Sequence, residues 1–135
     1  MAGPAVIDRD RKSARSFKHE TAEDTDVLLS LMGILHSEPL SSAFARVLRN
    51  DVKGIDGLPL AHFFEELSVL IERGHLAEDL AFDTFALDLY WDQLQSQIKA
   101  ARKAGRNPKL CENFEVQAEV AREYRETQPA AGKEN

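Results

Sequence analysis

Between Leu60 and Ile71 six large apolar residues, Leu60, Phe63, Phe64, Leu67, Leu70 and Ile71, recur at helical spacing, with Val69 pointing away from them. Turning successive residues by 100° gathers all six into one narrow arc and leaves His62, Glu65, Glu66, Glu72 and Arg73 outside it. A strand would alternate; this pattern demands a helix with one buried face. Gly74 follows where a left-handed residue ends a helix, and Leu76 lies where a C-terminal apolar contact belongs. The chain is therefore expected to reverse there into an αα-hairpin.

The same periodicity extends in both directions. Thr21-Ala-Glu-Asp24 reads as a capping sequence before Val27, Leu28, Leu31, Met32 and Leu35, which gives a first helix ending near His36. Ser37 as N-cap and Pro39 in the first turn then open a short helix with Leu40, Ala43, Phe44, Val47 and Leu48 inward. The glycines and polar residues of 50–57 form the main internal loop.

Beyond Gly74 one long helix is expected over about 77–103. Its first half is apolar in nearly every direction through Leu80, Phe82, Phe85, Ala86, Leu87, Leu89, Tyr90 and Trp91, and should be covered on several sides. Leu80, Leu87, Leu94 and Ala101 recur every seven residues, with Thr84, Trp91 and Ile98 between, a coiled-coil-like seam. Gly105, Asn107 and Pro108 break the chain, and a last helix should begin there with Leu110, Cys111, Phe114, Ala118, Ala121 and Tyr124 inward. Glu112, Glu115, Glu119 and Glu123 make its outer face acidic. The expected architecture is all-α, a single-domain bundle of about five helices with one long central helix, spanning 20–127. A basic arm precedes it over 1–19 and a frayed tail follows over 128–135.

Composition removes several function classes. With 135 residues, 43% of them hydrophobic, the chain can bury one core without disulfides. The single cysteine and the lack of a secretory signal point to a cytoplasmic protein. The longest apolar stretch, 27–35, falls well short of the roughly 20 residues a bilayer needs, so no transmembrane segment is expected. The arm carries Arg9, Arg11, Lys12, Arg15 and Lys18 against Asp8 and Asp10, whereas the whole chain has net charge −6.

The run Phe64-Glu-Glu-Leu-Ser-Val-Leu-Ile-Glu-Arg-Gly-His-Leu76, with Asp79, Phe82, Phe85, Tyr90-Trp91, Leu94 and Asn113-Phe-Glu115, resembles a widespread prokaryotic domain family of unknown function. The resemblance covers roughly 60–124 and implies a helical fold. It supplies no activity, and the N-terminal membrane helix of many relatives has no counterpart in this reading.

No phosphate loop, nucleophile elbow or zinc-ligand pair is present. His62 with Glu65 and Glu66 could offer two metal ligands, but a solvated face is the simpler reading. Asp83 and Asp88 sit in the most apolar helix half, where burial would raise their pKa unless cations such as Arg46, Arg49 or Arg73 pair with them. Cys111 is expected in the core, and Tyr90-Trp91 as packing. The turn at 102–109 is like a helix-turn-helix, but the helix after it is acidic, which disfavours nucleic acid.

The leading expectation is a non-enzymatic helical interaction module, with no cofactor or metal, that regulates or inhibits another protein or pairs with itself as a homodimer. Its contact residues would be Val69, Phe82, Phe85, Leu89 and Tyr90, with Glu115 and Glu119. Alternatives are an acidic inhibitor that mimics nucleic acid or blocks a basic site, and a metal-dependent or acid/base enzyme.

Overall fold

A computed structural model describes residues 16–52 and 57–127, and these form α1 (Ala22–Leu35), α2 (Leu40–Leu48), α3 (Leu58–Glu72), α4 (Glu78–Thr84), α5 (Leu87–Ala104) and α6 (Glu112–Thr127). Among the described residues there is no strand. Six helices replace the expected five because the long helix over 77–103 is two.

The capping sequence at Thr21 acts as its residues suggest. One oxygen of the Asp24 carboxylate accepts the Thr21 backbone N–H at 2.6 Å and its hydroxyl at 3.0 Å. The other accepts the Ala77 N–H at 2.9 Å, so a helix cap also fastens α1 to the entry of α4. The Thr21 backbone bond is the main reason the Asp24 carboxyl lies below its ordinary pKa. Ser37 does not cap α2. Its hydroxyl turns back to the carbonyls of Gly33 and Ile34, and Glu38 instead accepts the Ser42 hydroxyl at 2.8 Å in the first turn of α2.

At the end of α3 the His75 N–H bonds the Leu70 carbonyl and the Gly74 N–H that of Ile71, with Gly74 at φ 80° and Leu76 fully buried. That is a Schellman termination, and Leu76 just beyond it enters the core. Gly57, buried at the start of α3, meets α5 closely: a Cβ there would collide with Leu94 Cδ2.

The break between α4 and α5 is a three-residue turn. Phe85 is extended, Ala86 has φ −84° and ψ 69°, and the Leu87 N–H bonds the Phe85 carbonyl at 2.9 Å, an inverse γ-turn. A straight helix would have left one side of 80–91 in water. Changing axis at residues 85–86 turns Phe82, Phe85, Leu87, Tyr90 and Trp91 into the same core, and only Leu89 stays well exposed, at 46%. The seven-residue seam survives on α5 alone, through Leu87, Leu94 and Ile98.

Nor does α6 begin at Pro108. Residues 108–111 form a turn, Cys111 takes φ 59°, and the helix starts at Glu112. Its N-terminus is received by α3: the Phe114 N–H and the Asn113 side chain both donate to the Glu65 carboxylate at 2.7 Å, placing negative charge at the positive end of the dipole. α6 packs against both α3 and α5, so it occupies the central place expected of the long helix. It runs antiparallel to α5, as three cross-helix ion pairs record: Asp88–Arg125, Asp92–Arg122 and Arg102–Glu115.

Most of the expected basic arm and the tail from 128 lie outside the described residues. Residues 17–19 are strapped to the bundle. The Lys18 N–H donates to Glu78, its carbonyl accepts from the Asp79 N–H, His19 contacts Asp79 at 2.9 Å, and the Phe17 ring meets Phe82 and Tyr124 edge-on. No described helix is by itself long and apolar enough to cross a membrane; α1 and α2 reach that length and composition together, but are bent by 93°.

Candidate functional site

The change of axis at residues 85–86 opens a cleft of about 380 Å³ between α4, the start of α5 and the C-terminal half of α6. Phe82, Phe85 and Tyr90 supply aromatic wall, Ala86 and Ala121 leave the space, and Asp83, Thr84, Asp88, Tyr124 and Arg125 supply polar atoms. Small residues where two helices diverge are what keep such a gap from filling.

Its charges are arranged unequally. Arg125 donates through Nε and Nη2 to the two oxygens of Asp88, at 2.9 and 2.7 Å. Burial pushes the Asp88 carboxyl up, but the two bonds and the charge of Arg125, with the N–H groups of Asp88 and Leu89, outweigh it and hold the carboxyl below its ordinary value. Asp88 also places negative charge in the first turn of α5, where the helix dipole favours it. Asp83 is exposed and accepts the Tyr124 hydroxyl at 2.9 Å; among the described residues no cation pairs with it. Burial, then the bond to Asp83 and the charges of Asp83 and Asp79, push the Tyr124 hydroxyl up to about 12. The Tyr90 hydroxyl is raised as well, chiefly by burial. Among the described residues the one cation lining the cleft, Arg125, is matched by Asp88, which leaves the Asp83 carboxylate beside the rings with the Tyr124 hydroxyl as its partner and no cation.

Three residues singled out from sequence, Phe82, Phe85 and Tyr90, come together here, although as buried walls rather than as exposed contacts. Leu89 is exposed on the next turn, and Val69 is half-buried on α3. Asp88 is buried, as its apolar neighbours imply, but its cation is Arg125, not Arg46, Arg49 or Arg73. Asp83 is not buried. Sequence reasoning misses Tyr124 as a polar wall and Arg125 altogether. A signal exists: Arg122 and Arg125 stand three apart on an otherwise acidic helix, matching Asp88 and Asp92 four apart on the helix before it.

The other candidates are spread apart. Glu65 is committed to the start of α6, while His62 faces Glu66 at 3.3 Å on the surface. Among the described residues no group of three or more His, Cys, Asp or Glu is placed to hold a metal ion. On the acidic face, Glu115 is tied to Arg102 at 2.9 Å and Glu119 is exposed, 3.8 Å from Arg122. Cys111 is buried beside the Ala61 carbonyl, and burial, followed by the Glu65 charge, pushes its thiol up to about 11. Dithionitrobenzoate at pH 8 should accordingly leave the folded protein unlabelled and label one thiol per chain in denaturant. Rapid labelling of the native state would place Cys111 outside the core.

Residues 58–120 match the family model described as Domain of unknown function (DUF4760). No curated protein and no solved structure matches the chain. The matched span runs from the start of α3 into α6. It includes the Glu65 clamp and the helix break, and ends before Tyr124 and Arg125.

Proposed function

We propose that this chain is a non-enzymatic helical interaction module of the cytoplasm, which regulates a partner protein by taking one of its lysine or arginine side chains into the α4–α5 cleft. The observation that carries this reading is the cleft itself: aromatic faces of Phe82, Phe85, Tyr90 and Tyr124 beside the Asp83 carboxylate, which accepts the Tyr124 hydroxyl and has no cation partner among the described residues. Rings and carboxylate both favour an ammonium or guanidinium group. Binding is favoured over acid–base chemistry because the groups there are poorly poised to exchange protons near neutral pH. Asp88 is held ionised by Arg125 and the Tyr124 hydroxyl is raised to about 12.

Affinity capture from the native cell, with the mass of the intact complex measured, tests the proposal. The unmodified chain should retain a partner that Asp83→Lys releases and Glu119→Lys keeps. A homodimer would show itself as twice 15.1 kDa, again lost in Asp83→Lys. Equal retention by both variants would reject the cleft. Loss in Glu119→Lys alone would move the interface to the acidic face of α6 and favour a mimic of nucleic acid.

A further inference from the structure

From residue 93 to residue 111 the chain has no acidic residue and five basic ones, Lys99, Arg102, Lys103, Arg106 and Lys109, although the protein as a whole is acidic. The fold draws four of them around one concavity. Lys99, Arg102, Lys103 and Arg106, with Pro108, line a shallow groove of about 550 Å³ at the C-terminal end of α5.

The groove is held in shape by Arg102. Its Nε donates to the Leu110 carbonyl at 2.8 Å, its Nη2 to Glu115 at 2.9 Å, and its guanidinium lies 5.8 Å from the centre of the Trp91 ring. These contacts fix the 105–111 turn against α5. Arg106 sits in that turn at φ 55°, and the Asn107 N–H bonds the Arg102 carbonyl at 2.9 Å. Lys99, Lys103 and Arg106 are exposed, and among the described residues no carboxylate pairs with any of them. Lys99 donates to the Gln95 amide oxygen, at 3.1 Å.

The dipole of α5 would favour a cation or two near its last carbonyls. It does not account for four around a hollow, since the N–H groups of Gly105, Arg106 and Asn107 already bond the carbonyls of Ala101, Lys103 and Arg102. Three cations without a carboxylate among the described residues, Lys99, Lys103 and Arg106, around an Arg102 anchored by Glu115 on one concave surface, are an arrangement that suits phosphate oxygens. The exit of the turn limits the size of the anion. Glu112 is exposed there, so a long polyanion leaving the groove toward α6 would meet carboxylates. We propose that this groove binds a compact phosphate group, a diphosphate or a phosphate-ester head group, independently of the α4–α5 cleft.

The full chain can be titrated with pyrophosphate by calorimetry and by the fluorescence of Trp91, the single tryptophan, which stacks near Arg102. Saturable binding is expected. Lys103→Gln combined with Arg106→Gln, two exposed changes, should weaken it at least about tenfold while circular dichroism is unchanged. Arg73→Gln, an exposed cation outside the groove, should not weaken it. Flotation with phosphatidylcholine vesicles, with and without phosphatidic acid, separates the sources. Capture by the acidic vesicles that the double variant loses assigns a lipid head group; pyrophosphate binding without capture assigns a soluble ligand. The proposal falls if pyrophosphate does not saturate and vesicles do not capture, if Arg73→Gln weakens binding equally, or if a DNA duplex binds more tightly than pyrophosphate through Lys103 and Arg106.

Discussion

Phe64→Ala should lower the free energy of unfolding by about 3–5 kcal/mol, the range for emptying a buried aromatic site. Phe64 is fully buried, and its ring meets those of Phe44, Phe63, Phe85, Tyr90 and Phe114, with the Tyr90 ring stacked at 5.0 Å. Those partners belong to α2, α3, the α4–α5 turn, α5 and α6. Collapse around an alanine would need several helices to shift together, which keeps the cost near the upper part of the range. Since a domain of this size is stable by only about 5–15 kcal/mol in total, the urea midpoint should fall by a large fraction with little change in slope. Leu89→Ala, at an exposed position, should change stability by about 0.5 kcal/mol or less. A Phe64→Ala loss no larger than that of Leu89→Ala would mean that the aromatic cluster does not join the helices.

The part of this fold that can be read from sequence is the part settled within one or two turns. Thr21 with Asp24, and Leu70 and Ile71 with Gly74 and His75, each contain both partners of their own interaction, and the arc from Leu60 to Ile71 carries its helical period within one segment. The break at residues 85–86 is not legible, because neither residue is a helix breaker and local propensity continues through them. It arises from a tertiary conflict, too many apolar directions on one axis. The oily excess in 80–91 is real, but most of it needs no partner surface, since a bend disposes of it within the chain.

The start of α6 departs from the sequence expectation for a related reason. Asn107 and Pro108 do open a turn, with the Asn107 side chain accepting the Lys109 N–H at 3.2 Å, but the helix proper waits for Glu65 to reach it from α3. A cap supplied from 49 residues away leaves no mark beside the helix it caps. The same holds for the cleft. Its rings are visible as an apolar run, whereas Tyr124 and Arg125 join it only because α6 lies antiparallel to α5. That pairing is written in the complementary spacing of Asp88 and Asp92 with Arg122 and Arg125, a signal that gains meaning once the two helices are taken as neighbours.

Asp88→Asn should cost about 2–3 kcal/mol, and should alter the pH dependence of stability as well as its size. The Asp88 side chain is 2% exposed and that of Arg125 50% exposed, so the stranded guanidinium can recover part of its hydration; the loss should fall below the roughly 3–5 kcal/mol seen when a fully buried pair is broken. Replacing both partners, Asp88→Leu with Arg125→Met, should restore much of that loss, because no charge is then left without its partner. The carboxyl of Asp88 lies lower in the folded chain than its ordinary value of about 4. Its contribution is thus fully present above that pH and disappears as the pH falls through the folded value. The unfolding free energy of the unmodified chain should decline on acidification below about pH 4. Asp88→Asn should decline less steeply, with Asp24, also lowered, supplying part of the remaining slope. Urea titrations of both proteins at a series of pH values decide the matter: parallel curves would show that the ion pair at the mouth of α5 is not what holds the cleft and the helix break in place.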